Sequence, residues 1–99
     1  MITPYTITST AWTAISAAGE SGSCWLDEEN DGSKGHADVR ITHSASGVPN
    51  EAALEAAKKV YRSSGNDDVC LIGADSASDI WYARCKTTGD EVIINADVA

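Results

Sequence analysis

The densest run of potential metal ligands is Asp27-Glu28-Glu29-Asn30-Asp31-Gly32, followed by Asp38. Oxygen donors at alternate positions ahead of a glycine are what a calcium loop requires. The cation gathers roughly six to eight oxygens, and the glycine permits the sharp turn. On that template Asp27, Glu29 and Asp31 take the first, third and fifth positions, Gly32 the sixth and Asp38 the last. Glu29 is long for its position, and Asp38 is short for the bidentate ligation that closes such a loop. The flanks also pattern as strands rather than helices. The same residues suit an exposed hairpin loop with Asn-Asp-Gly turn chemistry. A calcium site on Asp27, Glu29, Asp31 and Asp38 therefore stands beside a solvated acidic loop, and no other cofactor is expected.

Catalytic patterns are weaker. Gly19-Glu20-Ser21-Gly22-Ser23 approaches the G-x-S-x-G nucleophile elbow, but a serine replaces the last glycine. No helix follows directly to complete the strand–elbow–helix context, so a Gly/Ser turn is the better reading. His43 has the parity of a packed or rim residue at a strand end, and His36 lies in a polar loop. Asp75 and Asp79 flank a Ser-Ala-Ser loop, where paired carboxylates could do acid/base work. Asp79 is better placed to accept backbone amides at the start of a strand. No glycine-rich phosphate loop, H-E-x-x-H or basic–aromatic stripe occurs. The chain is therefore expected not to be an enzyme.

Cys24, Cys70 and Cys85 lie in apolar strand-like runs. An odd count cannot pair fully within one chain, and C-x-x-C spacing is missing. Three reduced, buried cysteines serving as small hydrophobes are expected. The first residues carry neither a basic nor an apolar signal-peptide region, so folding in a reducing cytosol is expected.

Charge narrows the partners. Fifteen acids against seven bases leave a net charge of −8 over 99 residues. That disfavours a phosphate backbone, which needs clustered Lys and Arg, and equally an anionic membrane surface. No apolar run approaches the roughly 20 residues of a bilayer helix. The length fits a single domain over residues 1–99.

These side chains must be positioned mostly by strands. Residues 2–9 read as an edge strand or extended arm, with Pro4 favouring an edge. Residues 11–17 and 23–27 are further extended pieces. Val39, Ile41 and His43 alternate against Asp38, Arg40 and Thr42, the mark of a half-buried strand. Residues 69–73 are a continuous apolar run, expected to be buried on both faces. Residues 79–85 and 91–95, joined by a Thr-Gly-Asp turn, are expected to pair as a hairpin. The period changes over residues 51–62, which predict a helix. Asn50 is its N-cap, Glu55–Lys59 an i,i+4 pair, and Ala53, Leu54, Ala57, Val60 and Tyr61 its apolar stripe. About seven short strands and one helix predict a small antiparallel β-sandwich or partly open barrel, with an α+β arrangement as the alternative.

Three tryptophans and three tyrosines with no phenylalanine suit half-buried and interface positions. In residues 79–85, Trp81, Ala83 and Cys85 share the face expected to meet the core. Ile80, Tyr82 and Arg84 share the other, which is either an interface or a face covered by another element of the chain.

The chain resembles the small β-sandwich structural proteins of tailed-phage virions. The likeness is spread over an extended N-terminal segment (residues 1–10), Trp12-Thr13-Ala14-Ile15, Gly19-Glu20-Ser21-Gly22-Ser23 and Ile41-Thr42-His43-Ser44. It is closest in Asp79-Ile80-Trp81-Tyr82-Ala83-Arg84 followed by Val92-Ile93-Ile94. The helix is less typical of that group. The resemblance implies a virion component (capsid decoration, head fibre or tail) that forms a homo-oligomer, often a trimer. It would dock on other virion proteins through residues 1–10, and it carries no catalytic residues. The expected interface comprises Ile2, Tyr5 and Ile7 of that arm with Ile80, Tyr82 and Arg84. Two other functions fit the composition. One is an acidic inhibitor or DNA mimic occupying a basic groove. The other is a host-surface or carbohydrate-binding module using Trp12 or Trp25 as a stacking platform, which needs an exposed Trp beside Asp or Asn.

Overall fold

The computed structural model describes residues 1–27, 37–60 and 69–99 in full, and the backbone alone of residues 62–63 and 66–67. The fold is mostly β, a small antiparallel sandwich of two four-stranded sheets. In chain order the strands are β1 (Ile2–Thr8), β2 (Thr13–Ala14), β3 (Gly22–Leu26), β4 (Val39–Ser44), β5 (Lys58–Val60), β6 (Arg62–Ser63), β7 (Asn66–Asp67), β8 (Cys70–Ile72), β9 (Ile80–Cys85) and β10 (Glu91–Val98). One helical turn, α1 (Ala53–Ala56), precedes β5. The first sheet runs β1-β10-β3-β8 and the second β2-β9-β4-β5, while β6 and β7 form a separate two-stranded ribbon.

Alternation builds the core. Ile7, Cys24, Leu26, Cys70, Ile72, Val92, Ile94 and Ala96 of the first sheet meet Val39, Ile41, Val60, Ala83 and Cys85 of the second. With a side-chain period of two, each strand gives one row to this interior and the other to an outer face.

Of the two readings of residues 2–9, an edge strand or an extended arm, the structure has the strand. Ile2–Thr8 pairs residue by residue with β10, from Ile2 opposite Asp97 to Thr8 opposite Glu91. Ile7 is wholly buried, and Tyr5 packs against the core from the same parity. Pro4 keeps its expected edge position, because among the described strands β1 has a neighbour on one side alone.

Residues 79–85 and 91–95 do form strands, but not a hairpin. β9 pairs with β2 and β4, and β10 pairs with β1 and β3. The Lys86–Asp90 turn therefore carries the chain from one sheet to the other. The Lys86 amide donates to the Asp38 carbonyl (2.8 Å), and Gly89 takes φ +90° at the turn. Both strands own an apolar row, and facing each other across the interior buries both rows.

The helix predicted over residues 51–62 is confined to Ala53–Ala56. The chain turns extended at Ala57 (φ −70°, ψ 148°). Lys58–Val60 then pairs with β4, placing Val60 opposite Val39 and burying it in the main core. Pairing the open edge of β4 and burying a β-branched residue outweigh an alanine-rich helical stripe that could bury little area. The N-cap of the turn is Ala52, not Asn50, although Asn50 Oδ1 accepts the Ala53 amide (3.2 Å). Glu55 pairs with Lys86 (3.2 Å) across the fold instead of with Lys59 along a helix.

This turn covers the outer face of the second sheet. Leu54 and Ala57 pack with Trp12 and Tyr82 into a second apolar cluster, joined by Ala53 and Ile80. Two arginines clamp the segment at its ends. Arg84 donates from Nε and Nη2 to the Ser9 carbonyl and from Nη1 to Glu51 (2.8 Å). Arg40 grips Asp38 with two nitrogens and reaches the Ala57 carbonyl with Nη1 (3.3 Å). Arg40 and Arg84 lie directly opposite in the sheet. Like charges so placed repel, and anchoring them to different partners relieves the conflict.

Candidate functional site

At one end of the sandwich β4 finishes and β9 begins, and strand register brings His43 opposite Trp81. Both residues have the inward parity of their strands, yet at the rim they meet solvent. Their rings lie against each other with centroids 4.7 Å apart and a tilt of 32°. Trp81 Nε1 donates to the Gly73 carbonyl (3.1 Å), which ties this rim to the chain just leaving β8 of the opposite sheet. The Trp81 amide donates to Ser16 Oγ (3.0 Å).

Asp79, one residue before β9, reaches under this pair. Its side chain is only 3% exposed. Asp79 Oδ2 accepts the Asp75 amide (3.0 Å) and lies 2.7 Å from His43 Nδ1. The Asp79 amide donates to the Ser76 carbonyl, and its own carbonyl accepts the Gly19 amide (2.8 Å). One residue thus joins the β8–β9 turn, the β2–β3 turn and the end of β4. Buried carboxylates are tolerated when so bonded. The Asp75 amide, and then the His43 contact, hold the Asp79 carboxyl below the usual aspartate range against the opposing effect of burial.

The geometry assigns Nδ1 of His43 as the atom that donates to Asp79, leaving Nε2 to face outward. The exposed Asp75 carboxylate lies 3.8 Å from Nε2. A carboxylate holding one imidazole nitrogen so that the other can act is the arrangement of general bases and of metal-bound histidines. His43, Asp75 and Asp79 each offer a donor atom within 4.8 Å of the others. Asp79 Oδ2 is already committed to two bonds, so the free pair here is Nε2 with Asp75. Two ligands fall short of the three protein ligands of a catalytic zinc site. Among the described hydrogen bonds, no hydroxyl or thiol meets His43 Nε2.

The sequence places His43 at a packed or rim position and Asp79 on backbone amides, but does not join them. Their meeting depends on the β4–β9 register, which the alternation of either strand alone does not specify.

Of the expected calcium loop, only the end residues Asp27 and Asp38 lie among the described residues. Glu29 and Asp31, like His36, lie outside the described residues. Asp27 accepts a hydrogen bond from Asn95 Nδ2 (2.7 Å). Asp38 takes the Arg40 fork, which also holds its carboxyl below the usual range. Gly19–Ser23 is no nucleophile elbow: Ser21 Oγ accepts the Ala74 amide (2.9 Å), and Gly22 begins β3.

The expected interface divides. Tyr82 is buried under α1, Ile80 is half-buried beside it, and Arg84 is spent on Ser9 and Glu51. This face is covered by the chain itself, the alternative weighed above. Ile7 and Tyr5 point inward. Of the six residues only Ile2 remains well exposed.

The outer face of the first sheet differs. Ile2, Asp97, Ser23 and Leu71 lie in one row across its four strands, and Pro4, Asn95 and Trp25 lie in the next. Leu71 is 78% exposed, and Val69 beside it is exposed too. The 69–73 run was expected to be buried on both faces. Because β8 is an edge strand that alternates, only Cys70 and Ile72 turn inward. Among the described residues no element packs over this face. Comparison with protein-family models, curated proteins and solved structures finds no match to this chain.

Proposed function

We propose that this chain is a non-enzymatic structural protein that self-associates and docks on a larger assembly, as the resemblance to phage virion components implies. The observation that carries the reading is the contrast between the two outer faces. The second sheet is closed by α1 and two arginine clamps. The first sheet presents Ile2, Pro4, Trp25, Leu71 and Val69 without cover among the described residues. Apolar and aromatic residues gathered on one face are the composition of an association surface. Among the described acids, Asp27, Asp38, Asp79, Glu51 and Glu55 each have a partner inside the chain, which favours this reading over nucleic-acid mimicry.

The test is the solution mass of the full chain beside a Leu71→Lys, Ile2→Lys double variant, with co-sedimentation on assembled particles. The proposal expects a symmetric oligomer burying more than about 1,000 Å² per contact, reduced to single chains by the variant. A wild-type chain that stays monomeric and never sediments with particles overturns it.

One observation favours a second reading, a carbohydrate- or host-surface-binding module. Half-buried Trp25 lies opposite Asn95 in the sheet, and Asn95 bonds Asp27. An aromatic ring beside amide and carboxylate groups is the pairing such a platform needs. Saccharide-dependent fluorescence that disappears in Trp25→Ala, with no oligomer, would favour it.

A further inference from the structure

Cys24 and Cys70 face each other directly in register on adjacent antiparallel strands, β3 and β8. Both are buried and both belong to the same inward row of the core. Either kind of directly opposed antiparallel pair sets its Cα atoms about 4.5 or 5.5 Å apart, inside the range a disulfide spans. Cβ atoms in such pairs start slightly farther apart than a disulfide holds them, so one strand must draw in. β8 can do so, because it is three residues long, lies at the sheet edge and pairs with β3 alone among the described strands.

We propose that Cys24 and Cys70 are a reversible redox site, oxidised by low-molecular-weight disulfides to a cross-strand bond that staples the edge strand β8 to β3. Cys85 lies outside the pair: it faces Val39 across the second sheet and donates to the Ile7 carbonyl (3.5 Å).

The closed thiols are quiet. The Cys70 thiol and then burial push Cys24 far above the ordinary thiol range, and burial pushes Cys85 up to about 11. The thiolate is the attacking species, so reaction requires β8 to lift from the edge. Cys70 on the lifted strand then loses its proton to solvent. Its thiolate attacks one sulfur of the small disulfide and expels one small thiolate. Cys24, deprotonated in turn, attacks the Cys70 sulfur of the mixed disulfide and expels the second. Two protein thiols give up two electrons and two protons, and one small disulfide becomes two small thiols. The bond would hold Leu71 on the open outer face. The inference stands on β3–β8 register alone and does not depend on the proposed function.

The test exposes the native full chain to oxidised glutathione at neutral pH, followed by intact mass, alkylation and peptide mapping. The intact mass is expected to fall by about 2 Da, with Cys24 and Cys70 linked and Cys85 free. The melting temperature is expected to rise by about 10 °C or more and to return on reduction. Cys85→Ala should oxidise in the same way, and Cys70→Ala should not lose the two hydrogens. A link involving Cys85, a chain-to-chain disulfide or a lasting glutathione adduct overturns the proposal. So do three free thiols under conditions that oxidise the urea-unfolded chain. The wild-type peptide map decides the matter even where a variant folds poorly.

Discussion

Replacing Asp79 with alanine tests whether the rim cluster is a structural knot. The substitution removes two charge-assisted bonds, to the Asp75 amide at 3.0 Å and to His43 Nδ1 at 2.7 Å. Bonds to a charged group contribute about 1.5–3 kcal/mol each. The Asp79 side chain is almost fully withdrawn from water, but His43 is 35% exposed, so its bond belongs at the low end. Losing the carboxylate also removes its own burial cost, which offsets part of the loss. The net expectation is about 2–3 kcal/mol of destabilisation, or about 10–20 °C in melting temperature for a domain this small. Asp79→Asn keeps the shape and an acceptor for His43, and should lose about half as much.

The pH dependence has a defined sign. The folded-state pKa of Asp79 lies below its ordinary 3.8. Its contribution is therefore complete above that ordinary value and is lost as pH falls through the depressed folded one. Urea titrations followed by tryptophan fluorescence, with Trp81 stacked on His43 as reporter, should show the gap between wild type and Asp79→Ala closing below about pH 4. A gap under about 1 kcal/mol at pH 7, or one that stays constant to pH 2, would refute the reasoning.

Gly22→Ala should cost about 3 kcal/mol or more, measured by thermal unfolding. A Cβ there would stand 2.0 Å from the Asp97 carbonyl oxygen and 2.9 Å from Val98 Cα, so β10 must move away from β3. Leu54→Ala empties the anchor of α1 against Trp12 and Tyr82, and chemical denaturation should record a loss of about 2–3 kcal/mol. Arg84→Lys keeps the charge but cannot supply the two-nitrogen grip on the Ser9 carbonyl. Faster amide exchange over residues 9–12 is expected, with stability down about 1 kcal/mol. Millimolar calcium should shift the melting temperature by less than about 2 °C, because binding must strip Asp38 from Arg40; a larger rise would support the calcium reading of the 27–38 loop.

Where the sequence was legible, the information was local. The alternation of Val39, Ile41 and His43 gave β4 its buried face, and Trp81, Ala83 and Cys85 were correctly read as one inward row, although Trp81 lies at its wet end. The sandwich class followed from such strands. What failed depended on partners distant in the chain. The Thr-Gly-Asp turn looks the same whether it closes a hairpin or crosses between sheets. The choice was made by the edges β9 and β10 found on β4 and β3. Residues 58–60 carry helical spacing, but the vacant edge of β4 and the hole opposite Val39 are tertiary facts. The His43–Asp79 contact is of the same kind.

The two readings of the row at 80–84, an interface or an intramolecular cover, have the same origin, and they lead to a definite consequence. Ile80, Tyr82 and Arg84 form one row whose composition is that of an interface, and they do form one, with residues 50–57 of their own chain. An intramolecular cover and an intermolecular partner demand the same side chains, so composition cannot separate them. The test for a free face is topological: whether any segment is long enough, and starts close enough, to reach it. The β4–β5 connection lies over the second sheet, and Leu54 fills the space against Trp12 and Tyr82. On the first sheet β1, β10, β3 and β8 leave Leu71 as the most exposed residue of its row, at the middle of a three-residue strand that pairs with β3 alone among the described strands. An edge strand exposing a leucine and a valine is an aggregation hazard in a protein meant to stay alone. The same feature is an asset in a chain built to meet a partner, which is why the first sheet, not the row at 80–84, is the surface on which association should be sought.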